Sequence, residues 1–210
     1  AVSVSNLTKP GAEPHDVELN ARQVGSISDA ALVVYLKGFQ PAVDEAVQQQ
    51  ARRAFDVASV VELLPAAEGH DHGEEPGEEH AEEATGGKDP HLWLDPRRFA
   101  TVAGAVGEQL AAVDPARAAD FRSRAAAVQA ELAALDTEYA TKLKTCERRE
   151  IVTSHAAFHY LADRYGLTEI GITGISPEAE PSPQRLAEVT REAREHGATT
   201  IFFETLVSPK

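Results

Sequence analysis

Residues 114–146, DPARAADFRSRAAAVQAELAALDTEYATKLKTC, decide the fold. The segment is rich in Ala, contains no Gly and has no Pro after Pro115, so nothing in it interrupts an α-helix. Apolar residues at Phe121, Val128, Leu132, Leu135, Tyr139 and Leu143 keep one stripe on one face. The stripe extends over roughly 30 residues, which is about 45 Å of helix. It does not hold a strict seven-residue repeat, which argues against a coiled-coil dimer seam. Strand and helix signals alternate on both sides of it. The expected fold is therefore α/β: two lobes with parallel sheets flanked by helices, bridged by one long rigid helix that crosses the backs of both. The expected divisions are an N-terminal lobe over 1–113, the bridging helix over 114–146 and a C-terminal lobe over 147–210 whose sheet reads as unfinished.

In the first lobe the pattern predicts strands at Val2 to Val4, Ala31 to Leu36 and Phe55 to Ser59, with helices at Ala21 to Ser28 and Ala42 to Ala51. Asp95 stands in N-cap position before Pro96, which starts a helix running to about Val113. The second lobe reads as a strand at Glu150 to Thr153, a helix at about Ala156 to Tyr165 and a strand at Thr168 to Ile172. Ser182-Pro183 then starts a helix to about His196, Gly197 closes it, and Thr199 to Phe203 forms a further buried strand. This βαβαβ order predicts a parallel sheet.

The charge is unevenly placed. Formal net charge is −14 over 210 residues, but Glu68 to Glu83 alone hold eight acids and no Lys or Arg, so the remainder carries −14 + 8 = −6. A phosphate-backbone partner is excluded, because nucleic-acid binding needs a basic face. No run of about 18 apolar residues exists, so no helix of this chain spans a bilayer. The N-terminus lacks a basic region followed by an apolar one, so any secretion signal is expected to be removed or to lie outside this sequence. A single cysteine, Cys146, excludes an intrachain disulfide and a Cys-based zinc knuckle. A metal bound here is held by His and carboxylates, which suits zinc, manganese, iron or nickel better than copper(I).

In an open parallel sheet, ligands gather beyond the C-terminal strand ends. His155 follows EIVTS there and Glu204 follows TTIFF, while His15 lies in the turn PGAEPHDVEL and His91 opens DPHLWLDP. These four groups are of metal-ligand type, in loops expected to converge between the lobes. Each histidine has a competing structural role. His15 also suits a helix cap or the surface, His91 a packed, hydrogen-bonded position beside Trp93, and His155 a helix start whose donors it caps. Three unrelated histidines in three such loops favour a joint site. His159, four residues after His155, shares its helix face and is the weaker candidate. His196 suits the C-terminal dipole of its helix. His70, His72 and His80 belong to the acidic stretch EGHDHGEEPGEEHAEE, which suits transient metal binding or an inert surface insertion.

The segments PGAEPHDVEL, SDAALVVYLKGFQPAVDEAV, DPHLWLDP, TSHAAFHYLADRYGL and GISPEAEPSPQRLAEVTREAREHGATTIFFETLVSPK together resemble the zinc and manganese solute-binding proteins of bacterial ABC importers. That resemblance implies two α/β lobes bridged by a rigid helix, with the metal between them. It matches His15, His91 and His155 to three metal ligands. Glu204 matches a family Glu near the site, either a residue that supports the ligands from behind or a substitute ligand or water anchor where the family's usual C-terminal Asp is absent, and this sequence ends before that Asp. Manganese-type members more often place Glu where His155 stands, so the all-His set implies Zn²⁺ over Mn²⁺. A His- and acid-rich loop before the second ligand is likewise a zinc-type feature. Departures are Val17, where an aromatic residue is common, and His159, where a small one is.

The implied function is high-affinity zinc capture outside the cytoplasm and delivery to the membrane permease of an ABC importer. The implied state is a monomer, periplasmic or lipid-anchored on the outer face of the membrane, and not an enzyme. A zinc hydrolase is the competing reading, since three His and an open position also describe a catalytic zinc, but no H-E-x-x-H helix is present. A metal-buffering surface adhesin without a transporter is the third.

Overall fold

The computed structural model describes residues 2–9, 11–66 and 87–203. The chain forms two compact units, one of Ala1–Glu62 with Ala100–Ala130, the other of Leu63–Phe99 with Glu131–Lys210. Each is α/β and holds a parallel sheet. No helix among the described residues is long and apolar enough to cross a membrane.

The first unit is built on α1 (Ala21–Asp29), β1 (Val33–Tyr35), α2 (Pro41–Gln50) and β2 (Ala54–Asp56). Asn20 accepts from the backbone N–H groups of Arg22 and Gln23, and the Gln23 side chain accepts from the Asn20 N–H, a reciprocal cap that starts α1. Ile27, Val33, Val43, Ala46 and Val47 form the core, with Leu7, Val17 and Leu19 packed against it. β1 and β2 pair in parallel, Val33 opposite Ala54.

One strand expectation fails in this unit and another is shortened. Val2 to Val4 forms no strand: no ladder partner meets it among the described residues, and Val4 is 86% exposed. β2 stops at Asp56, whose carboxylate accepts from the Ala58 N–H and turns Val57–Ser59 into a 3₁₀ turn. A local side-chain acceptor here outcompetes strand extension.

Two helices follow, α3 (Pro96–Val113) and α4 (Ala118–Leu143), the latter entered through a 3₁₀ turn at Pro115–Arg117. The 26 residues of α4 correspond to about 39 Å of helix. Within the first unit α3 meets α4 closely at glycine: a Cβ added to Gly107 would stand 2.6 Å from the Ala125 Cβ. Gln129 of α4 donates to the Ala100 carbonyl of α3. The stripe of α4 differs from the apolar pattern expected. Val128 and Leu135 are exposed, while Gln129 is half-buried and Asp136 buried. Those polar groups face inward because each finds partners there.

In the second unit β3 (Glu150–His155) lies between β4 (Thr168–Thr173) and β5 (Ile201–Phe202), all parallel. α5 (His159–Tyr165) joins β3 to β4, and α6 (Pro183–Glu195) follows β4. Ser182 caps α6 by accepting from the Arg185 N–H, and Gly197 follows its end at φ +64°. Val152, Ile170 and Val189 form the core between sheet and α6. Three boundaries differ from the sequence reading. β3 runs through His155, because His155 still pairs with Thr173, so α5 starts at His159 rather than Ala156. β5 is shorter than expected, and its Ile201 and Phe202 are exposed rather than buried.

Asp136 of α4 ties this unit together. It accepts from Arg164 Nε at 2.6 Å, Arg97 Nε at 2.9 Å and Tyr165 Oη at 3.0 Å. The Arg164 hydrogen bond, followed by those of Arg97 and Tyr165, outweighs burial and lowers its pKa to about 2. Both α5 and the start of α3 are fastened to α4 through this one carboxylate.

Candidate metal centre

His91 sits at the N-cap of a 3₁₀ turn, Leu92–Leu94, and is 2% exposed. Asp89, two residues earlier, accepts through Oδ1 from both the His91 backbone N–H at 2.9 Å and its Nδ1 at 2.7 Å. A carboxylate on Nδ1 selects the Nδ1–H tautomer and puts the lone pair on Nε2, the arrangement a metal-binding imidazole needs. Pro90 helps: it has no N–H and holds the residue before it extended, which lets the Asp89 side chain fold over the His91 amide.

The same device recurs in the first unit. His15 follows Glu13-Pro14, and the Glu13 carboxylate accepts from the His15 backbone N–H at 3.1 Å and meets its Nδ1 in a short contact. The ring stands edge-on to Phe39, centroids 5.0 Å apart. Gln40, before α2, donates to the Pro14 carbonyl and fixes the turn. Glu13 and Asp89 were missed in the sequence, yet the signal was legible: both histidines occur as acid-Pro-His.

His155 closes β3, the central strand, and is buried. Its ring lies 5.3 Å from that of His91, tilted by 59°. The turn behind it is pinned by Glu169 of β4, whose Oε1 accepts from Thr153 Oγ1 at 2.8 Å and the Phe158 N–H at 2.9 Å. Burial raises the Glu169 pKa, partly offset by those two bonds.

Further groups fix the DPHLWLDP segment. Tyr160 of α5 donates to the Asp89 carbonyl at 2.7 Å and accepts from the Leu64 N–H at 2.9 Å. Burial pushes its hydroxyl up to about 12, so it stays a donor at any ordinary pH. Asp95 accepts from the Arg97 N–H at 2.8 Å, which caps α3 as expected, and lies 3.4 Å from Arg164. Burial raises the pKa of Asp89, but contacts with His159 and His91 more than offset it, and the net shift is downward.

Of the sequence candidates, the structure brings His91 and His155 together in the second unit, while His15 belongs to the first. Glu204, His70, His72 and His80 lie outside the described residues. His196 faces Glu150 at 3.4 Å. Cys146 is exposed past the end of α4. The donor set is imidazole without thiolate, which suits a divalent cation of borderline softness such as Zn²⁺.

A buried imidazole oriented through Nδ1 by a buried carboxylate, His91 on Asp89, beside a second buried imidazole, His155, at the C-terminal end of a parallel strand is an arrangement suited to metal binding in an α/β protein. The model of the family zinc-uptake complex component A, periplasmic, matches residues 1–210, and the chain belongs to that family. It is similar to the zinc-binding lipoprotein AdcA of Streptococcus pneumoniae, 36% identical over 210 residues, covering 96% of this chain and 40% of that protein. The chain thus spans about two-fifths of that relative's length. Among solved structures it resembles the laminin-binding protein Lmb of Streptococcus agalactiae, described as having adhesin and metal-transporting activity. The TM-score is 0.82 and the identity 31%, over 97% of this chain and 72% of that one. It also resembles the Zn(II)-bound ZnuA-like domain of Streptococcus pneumoniae AdcA, with TM-score 0.70 and 32% identity over 93% of this chain and 68% of that one.

Proposed function

We propose that the protein captures Zn²⁺ outside the cytoplasm and presents it to the membrane permease of an ABC importer, with no catalytic step of its own. His15, His91 and His155 are the proposed ligands, completed by a carboxylate or water, with Glu204 the candidate carboxylate. The long helix is the proposed bridge between the lobe that carries His15 and the lobe that carries His91 and His155. The observation that carries this reading is the buried His91 and His155 pair with Asp89 on the His91 Nδ1. Two buried imidazoles side by side, one of them oriented through Nδ1 by a carboxylate, are a donor pair suited to a divalent cation. Membership of a zinc-uptake family and likeness to a Zn(II)-bound domain support zinc, and a lipoprotein relative supports a periplasmic or lipid-anchored location. A monomer is proposed, since no oligomer is needed to complete the ligand set.

Protons compete with the metal for imidazole, so affinity falls in acid. The test is zinc titration with Trp93 fluorescence as the reporter, its ring being 5.3 Å from that of His91. His15→Ala, His91→Ala and His155→Ala should each weaken binding. Unchanged affinity in all three sinks the assignment, and steady ester hydrolysis by the zinc form, lost in His91→Ala, would replace delivery with catalysis.

A further inference from the structure

Asp89 faces two imidazoles. Its Oδ1 holds His91, while its Oδ2, buried and without a hydrogen bond among the described residues, lies 3.5 Å from Nδ1 of His159. That spacing is an ion-pair contact rather than a closed hydrogen bond. His159 opens α5 with its side chain 28% exposed, so one edge of the ring meets the buried carboxylate while the ring as a whole reaches solvent. The charged groups that act on it are Asp89, Glu169 from β4 and Asp163 one turn along α5, all acidic.

A carboxylate on the Nδ1–H of a ligand imidazole strengthens that imidazole's hold on a metal. Negative charge drawn toward a second imidazole is less available to the first. We propose that His159 is a positioning residue that acts on the metal through Asp89: by claiming a share of that carboxylate, it weakens the hold of His91 on the cation and speeds release. The inference rests on reading His91 as a metal ligand. It gives a delivery protein what its task requires, a tight site with a built-in limit on tightness.

The test measures zinc affinity by chelator competition, and the release rate, on the whole chain. His159→Leu removes the imidazole and keeps water off Oδ2, so it should tighten zinc about three- to tenfold with slower release, a fraction of the 10–100-fold range for such partners. The gain should grow as pH falls from about 8 to 6, where imidazole gains charge. His159→Gln, which keeps a donor but not the charge, should lie between the leucine variant and the parent near pH 8 and should lack the parent's further weakening toward pH 6. In an Asp89→Asn background, His159→Leu should change nothing further. Weaker or unchanged binding in His159→Leu, or the same gain without Asp89, overturns the proposal. His91→Ala in the same assay separates the layers. If it binds zinc like the parent, the site assignment fails and this inference with it. If it loses zinc while His159→Leu fails to tighten, only the role of His159 falls.

Discussion

Replacing Asp89 by Asn tests whether the carboxylates behind the histidines tune the metal or merely fill space. Asn keeps the size and one acceptor oxygen, so the His91 N–H keeps a partner, but the charge behind Nδ1 is lost. A hydrogen bond to a charged group contributes about 1.5–3 kcal/mol and a neutral one about 0.5–1.5. The difference, about 1–1.5 kcal/mol, corresponds to roughly a tenfold loss of zinc affinity. Asp89→Ala, which also removes the acceptor, should approach a hundredfold loss. Asp89 is 0% exposed, so no bulk water replaces what is removed. Glu13 does the same for His15 with its side chain 15% exposed, and water there softens the loss. Glu13→Gln should therefore cost less than Asp89→Asn. Chelator competition gives the affinities, and thermal melts of the zinc-free proteins check that each variant folds. Affinity within about twofold of the parent in a folded Asp89→Asn would refute the tuning argument, as would a larger loss from Glu13→Gln.

Asp136→Ala should destabilise the chain by about 2–3 kcal/mol in urea at neutral pH, because Arg164 and Tyr165 lose a buried acceptor. The folded pKa of Asp136, about 2, lies below the unfolded value, so its contribution is full above the unfolded pKa and is lost as pH falls toward 2. The gap between parent and variant should close over that range, and a gap that is constant with pH contradicts the assignment. Gly107→Ala should cost about 1–3 kcal/mol by forcing α3 from α4, whereas Gly25→Ala, inside α1 with open space around it, should add about 0.5–1. Equal melting shifts for the two would contradict the packing described. Deleting residues 68–88 should leave the tight zinc site intact and remove weaker equivalents in a calorimetric titration; loss of the tight site would move the ligands into that segment.

Helix ends were the most legible part of this chain, because Asp95-Pro96, Ser182-Pro183 and Gly197 act through local chemistry that sequence displays directly. Strand ends were less so, since they depend on partners. Val2 to Val4 alternates like a strand and finds none among the described residues, whereas β3 extends to His155 because Thr173 lies opposite. The stripe of α4 misled for a related reason: apolar spacing selected Val128 and Leu135, but Gln129 and Asp136 turn inward on hydrogen bonds from distant residues. At the site, residue type and loop position were enough to choose His91 and His155, which the structure brings together. The carboxylates behind His15 and His91 went unread although both acid-Pro-His runs were in plain sight. The approach of His159 to Asp89 depends on how α5 packs, which no spacing discloses.

The central claim is that three imidazoles, drawn from His15, His91 and His155, hold one zinc ion. Zinc-edge X-ray absorption on the loaded protein counts them directly. Three imidazoles and no sulfur are expected in the parent, with two imidazoles after His15→Ala. An unchanged imidazole count in His15→Ala, or sulfur in the shell, would contradict that claim.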